Sequence, residues 1–168
     1  MHIYTPTDLD DMTMVEAIDA VTADLLDHQA AASPHSVFTV MRHIELLCHL
    51  TARAANDAHF GIAYEHADPA DQVEPLCRAA AHLGRATAHY TLALTPVLAL
   101  SKPDARSTVH KQLDAIEALS RLTKQVHDAL LALSDARTCM TTPLPPGGQA
   151  PPAVPPPVPT PPAAKPHR

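Results

Sequence analysis

The chain has 168 residues, a net charge of −6, no Trp and only five aromatic side chains: Tyr4, Phe38, Phe60, Tyr64 and Tyr90. A core must therefore be built from Leu, Ile, Val, Met and Ala, which suits helices packed on helices. With no basic stripe to displace counterions, nucleic acid is excluded as a partner. The longest near-apolar stretch, Leu92 to Leu100, is broken by Thr95 and Pro96 and falls short of the about 20 apolar residues of a membrane span.

Met1 to Asp11 is polar and acidic, without the basic and apolar regions of a secretory signal, so the expected location is the cytoplasm. Residues 1–41 carry Asp8, Asp10, Asp11, Glu16, Asp19, Asp24 and Asp27 but neither Lys nor Arg. The first helix thus presents an acidic face, read as a solvated surface or as a dock for a basic partner.

Four helices are predicted, each opened by a cap and a proline. Thr5-Pro6, Ser33-Pro34 and Asp68-Pro69 place an N-cap residue before a Pro whose missing N–H costs nothing at the first helical position. Ser101-Lys102-Pro103 is a looser version. Asp8 and Asp71 put a carboxylate in the first turn, where the orphan N–H groups favour it.

The predicted apolar face of the first helix is Leu9, Met12, Val15, Ile18, Val21, Thr22, Leu25 and Leu26. That of the second is Val37, Val40, Met41, Ile44, Leu47, Cys48, Thr51, Ala55, Ala58 and Ile62. The third carries Val73, Leu76, Cys77, Ala80, Leu83, Thr87, Tyr90, Leu94 and Val97. The last carries Val109, Leu113, Ile116, Leu119, Leu122, Val126, Leu130 and Leu133. Spacings of three and four define one apolar stripe per helix. Pro75 suggests a late start to the third helix, and Pro96 should kink or end it.

Short connections make consecutive helices antiparallel, which gives an all-α, up-down-up-down four-helix bundle over residues 1–138. Folding the second and third helices back on each other sets Thr51 opposite Gly84, Ala55 opposite Ala80 and Ala58 opposite Cys77. This small-residue seam should allow close approach, and Gly84→Leu should disrupt it. Cys48 and Cys77 read as core residues and Cys139 as an exposed thiol. Monomer and homodimer are both compatible with this pattern.

Residues 139–168 form the second region. Of the 18 prolines in the chain, 12 lie between Pro143 and Arg168, which predicts a disordered, polyproline-II-like tail. Its P-x-x-P spacings offer Pro143, Pro146, Pro155, Pro156, Pro157, Pro159 and Pro162 as contacts for an aromatic-lined groove on a protein partner.

Chemistry is sparse. No phosphate-binding glycine loop and no nucleophile elbow occurs, so no catalytic residue and no cofactor is assigned. The 12 histidines include no pair at i, i+3 or i, i+4, the spacings that let one helix face hold an ion. Asp24/His28 and Glu45/His49 are mixed pairs four apart.

The segment Glu45-Leu46-Leu47-Cys48-His49-Leu50-Thr51 resembles the first metal-bearing helix of DinB/YfiT-type bundles. That resemblance implies a metal-dependent bundle enzyme with Glu45, His49 and, from a late helix, His127 as candidate ligands. Thr123 stands where the family places its other late histidine. A second likeness is Tyr64-Glu65-His66-Ala67-Asp68, which is similar to the YxxxD/E export signal of type VII secretion substrates and implies a secreted helical protein. The reading that follows from the residues themselves is a non-enzymatic accessory or interaction protein whose proline-rich arm engages a partner.

Overall fold

A computed structural model describes residues 3–29, 35–64, 70–102 and 108–142. Among these residues every regular element is a helix: α1 (Pro6–Asp10), α2 (Met14–Asp27), α3 (Ser36–Tyr64), α4 (Ala70–Leu92), α5 (Leu94–Leu100) and α6 (Val109–Thr141). The expected starts at Pro34, Pro69 and Pro103 lie outside the described residues, as does the tail from Pro143 onward.

The first expected helix is two. Thr5 caps α1 with Pro6 at N1, and the Asp8 carboxylate accepts the Thr5 N–H at 2.7 Å. A second capping box follows at once: Glu16 N–H donates to Thr13 Oγ1 at 3.3 Å and Thr13 N–H to the Glu16 carboxylate at 2.9 Å. Two boxes eight residues apart end one helix and begin another. Hydrogen bonds from the Thr13 backbone and hydroxyl also hold the Glu16 carboxyl below its usual range.

Two further boundaries differ from expectation. Pro75 lies inside α4, which already starts at Ala70. Helix α6 is capped by Thr108, whose hydroxyl accepts Lys111 N–H at 3.3 Å, rather than by Ser101. Pro96 acts as expected. Its ring excludes the carbonyl four residues earlier, and the helix breaks at Ala93, whose N–H reaches both His89 O (3.2 Å) and Tyr90 O (3.1 Å).

Helix α3 packs on α4, α4 on α6, and α2 on both α3 and α6; α5 rests on α6 and α3. Paired side chains give the alignment: Asp24 with His43 and Asp10 with His49 between the N-terminal helices and α3, His43 with Tyr90 across α3 and α4, and His82 with Asp135 and His89 with Gln125 across α4 and α6. The interior is aliphatic around Leu9, Ile18, Leu25, Leu46, Leu47, Leu50, Leu83 and Leu133.

The buried face of α3 is turned about one residue, some 100°, from the expected stripe. Ser36, Val40, His43, Leu47, Leu50, Ala54 and Ala58 point inward, while Met41, Cys48, Ala55 and Ile62 face solvent. The small-residue seam moves as well. Its buried members are Ala79, Ala86 and Ala93 on the α4–α5 side and Ala115, Ala129, Ala132 and Ala136 on α6. Between α3 and α4, Thr51 Oγ1 stands 3.4 Å from Thr87 Oγ1, and a Cβ built on Gly84 meets nothing within 4 Å. Gly84 therefore has room for a side chain, and the expectation that Gly84→Leu disrupts the pair is withdrawn.

Cys48 and Cys77 are exposed, and Cys139 is half-buried against the core near the end of α6. The sulfur positions thus reverse the expectation at all three sites. On α6 the row Val109, Leu113 and Ile116, expected in the core, is 74%, 60% and 62% exposed. Length explains it: α2 has 14 residues against 33 in α6. At about 1.5 Å per residue the shorter helix leaves more than half of the longer one unmatched. No helix among the described residues is long and apolar enough to cross a membrane.

Candidate functional site

Among the described residues a group of polar side chains is buried where α2, α3 and α4 meet. Asp24, in the last turn of α2, is 1% exposed, and His43 on α3 and Tyr90 on α4 are fully buried. A carboxylate at a helix C-terminus opposes the macrodipole, and a buried one needs compensating charge. Arg42 supplies it: its Nη2 lies 2.8 Å from Asp24 Oδ2. His43 Nε2 is 3.1 Å from the same oxygen, and His28 Nδ1, from the residue that ends α2, is 3.1 Å from Oδ1.

These contacts are close but poorly directed, and neither Asp24 oxygen receives an aligned hydrogen bond among the described residues. The carboxylate is held by charge more than by hydrogen-bond geometry. Arg42 also donates to Tyr4 O at 3.5 Å, which ties the N-terminal segment to the cluster.

On its far side His43 Nδ1 lies 2.8 Å from Tyr90 Oη, with the rings edge to face at 5.3 Å between centroids. The Nε2 edge meets both Asp24 Oδ2 at 3.1 Å and the Arg42 guanidinium at 3.2 Å. A proton on Nε2 faces the carboxylate and leaves Nδ1 to accept from the Tyr90 hydroxyl, whereas a proton on Nδ1 is donated to Tyr90 Oη and leaves Nε2 to accept from Arg42. Burial drives the His43 pKa down to about 4, against the opposing pull of Asp24 and with help from the Arg42 and His28 charges. Burial also raises the Tyr90 phenol above its ordinary value, and the Asp24 charge adds to that. His43 is thus a neutral bridge between a carboxylate and a phenol at neutral pH.

The residue types are those of general acid–base catalysis, but geometry comes before pKa in such an assignment. The grooves between α5 and α6, between α4 and α6, and along α2 are lined by side chains other than Asp24, His43 and Tyr90. Only Arg42 and His28 reach solvent, at 25% and 18% of their side chains. What the arrangement does is join three helices through one polar chain.

The candidate metal ligands do not converge. His49 Nε2 contacts Asp10 at 2.8 Å and so fastens the N-terminal helices to α3. Glu45 lies on the exposed face of α3 and His127 on the exposed face of α6. Among the described residues no group of three His, Cys, Asp or Glu is placed to hold a metal ion. The tail prolines lie outside the described residues, and of the export-like motif only Tyr64, the last residue of α3, lies within them.

The Asp24/His28 pair is visible in the sequence, whereas the parts played by His43, Arg42 and Tyr90 are not. The available signal was the series Ser36, Val40, His43, Leu47, Leu50, Ala54. It has helical spacing once a histidine is admitted to the buried face. Comparison with protein-family models, with curated proteins and with solved structures finds no match for this chain.

Proposed function

We propose that the protein is a non-enzymatic interaction module: an up-down-up-down four-helix bundle that presents an apolar face and a proline-rich arm to a protein partner. The observation that supports this reading is the row Val109, Leu113 and Ile116 on α6. These three large aliphatic side chains stand at i, i+4 and i+7 and are each more than half exposed. Contiguous apolar surface of this kind marks interaction sites more often than isolated exposed residues do, and the spacing is that of helix-in-groove and helix-on-helix recognition.

Three side chains fall well short of the about 800 Å² per partner that stable interfaces bury. A partner must therefore engage further residues, and the proline-rich arm is suited to supply them, since polyproline II is already ordered before binding. The acid, base and phenol of the interior serve in this reading to lock the helices rather than to meet a substrate.

The test is a cross-linking pull-down with three baits: the full chain, Leu113→Glu/Ile116→Glu, and a chain ending at Thr142. A partner lost with the double variant and weakened by truncation supports the reading. An identical partner set for all three baits overturns it. Sedimentation of the same proteins shows whether the partner is a second copy, in which case the double variant alone shifts from dimer to monomer.

A further inference from the structure

A different surface carries an inference that needs no outside partner. An open groove of about 600 Å³ runs between the N-terminal segment and α2. It is lined by three exposed carboxylates, Asp11, Glu16 and Asp19, which form its acidic walls, and by the apolar surface of Tyr4, Met12, Ala20 and Ala23. It lies in the stretch of 41 residues that carries seven carboxylates and no Lys or Arg.

Helix α6 ends beside this groove. Arg137 Nε donates to the wall residue Asp19 at 2.6 Å, and this contact raises the Arg137 pKa. Four residues later α6 stops at Thr141, a distance of about 6 Å at 1.5 Å per residue. The chain beyond Thr142 therefore leaves the helices next to the acidic walls. Its 26 residues, Pro143 to Arg168, contain no acidic side chain, and their only charged side chains are Lys165, Arg168 and the titratable His167. Their remaining composition is Pro, Val, Ala and Leu with a few small polar residues.

We propose that the groove between Tyr4 and α2 is a docking site for this chain's own C-terminal segment, with Lys165 and Arg168 against the acidic walls and the proline–valine stretch over the apolar surface. Charge sign, apolar character and point of exit agree. So does length: 22 residues separate Thr142 from Lys165, and at about 3.1 Å per residue for a proline-rich chain they reach up to about 70 Å, so contour length does not limit their return to the groove. Docking is partial and in fast exchange, since solvent-exposed charge pairs are individually weak. It covers the acidic face until a basic partner displaces the segment, and it is an autoinhibitory contact in that sense.

The experiment uses the full chain in ¹⁵N-labelled form. Amide shifts of wild type are compared with those of Lys165→Glu/Arg168→Glu and, separately, of Asp11→Asn. Docking predicts shift differences between wild type and the charge-reversed chain at Tyr4, Met12, Asp19, Ala20 and Ala23. Those differences vanish at about 1 M salt, where the Debye length falls to about 3 Å, and Asp11→Asn moves the same amides in the same direction. Spectra of wild type and charge-reversed chain that agree across residues 3–27 overturn the proposal. Differences that grow with protein concentration overturn it in favour of docking between copies. Because the readout needs only purified protein, loss of every partner in the pull-down would leave this result standing, and the reverse also holds.

Discussion

His43 offers the most quantitative test of the interior cluster. The unfolded chain binds a proton at this residue near pH 6.5, whereas the folded chain resists it until about pH 4. Between those values the unfolded state holds one more proton, so stability falls as pH drops, by about 1.4 kcal/mol per pH unit from this group alone. Over the whole interval the loss is about 3 kcal/mol. Above pH 6.5 the residue is neutral in both states and contributes no slope. Below pH 4 it is charged in both, and the slope ends.

The variant His43→Gln keeps an amide beside Asp24 but titrates nowhere in this range. Urea unfolding of both proteins at a series of pH values between 4 and 7 gives the difference directly, and other titrating groups cancel in the comparison. The expected result is a wild-type stability that declines more steeply toward acid by about one proton's worth. Gln at this position costs some absolute stability at pH 7, because the buried Tyr90 hydroxyl loses its partner at Nδ1, about 1–3 kcal/mol. Parallel stability curves for the two proteins would falsify the buried neutral bridge, as would an imidazole of His43 that titrates near 6.5 by NMR.

Other substitutions probe separate parts of the fold. Asp24→Asn leaves Arg42 and His28 without their carboxylate and should cost about 3 kcal/mol, the lower end for a broken buried pair because Arg42 can turn to water; denaturant titration at pH 7 reads it. Thr13→Ala removes one partner of the box that starts α2 and should cost about 1 kcal/mol, visible as a lower Tm without change in helix content. Gly84→Ala should gain about 1 kcal/mol from helix propensity, and Gly84→Leu should melt no lower than wild type. Gly61→Ala should fail to show that gain, since its Cβ would meet Val73 Cγ2 at 3.0 Å.

Helix existence was legible because Leu, Ile and Val recur at helical spacing and because the caps at Thr5 and Asp8 follow rules that hold locally. The second box at Thr13 and Glu16 obeys the same rules, and it was overlooked because the apolar stripe runs across it without a break. The face of α3 was misjudged for a specific reason. Counting His43 as polar moves the apparent stripe toward Met41 and Cys48, and only the partners Asp24 and Tyr90, distant in sequence, make a buried histidine affordable. The exposed row on α6 was equally illegible, since periodicity reports a face that can be buried and says nothing of whether the facing helix is long enough to cover it.

The alanines of the α4–α6 seam set a problem of register. Ala79, Ala86 and Ala93 recur every seven residues, and so do Ala115, Leu122, Ala129 and Ala136, all nearly or fully buried. By the pairing of His82 with Asp135 and His89 with Gln125, Ala79, Ala86 and Ala93 lie level with Ala136, Ala129 and Leu122. Sliding one helix by two turns would match alanine to alanine almost as well, so methyl-on-methyl packing cannot by itself choose the alignment. Leu122 helps to, because it is the one bulky member of its series and lies level with Ala93, where α4 ends and α5 begins. The polar pairs on the flank give a second reading of the same alignment. Leu122 thus interrupts the near-repeat of the seam, and a smaller side chain at residue 122 would bring the two alignments closer in energy.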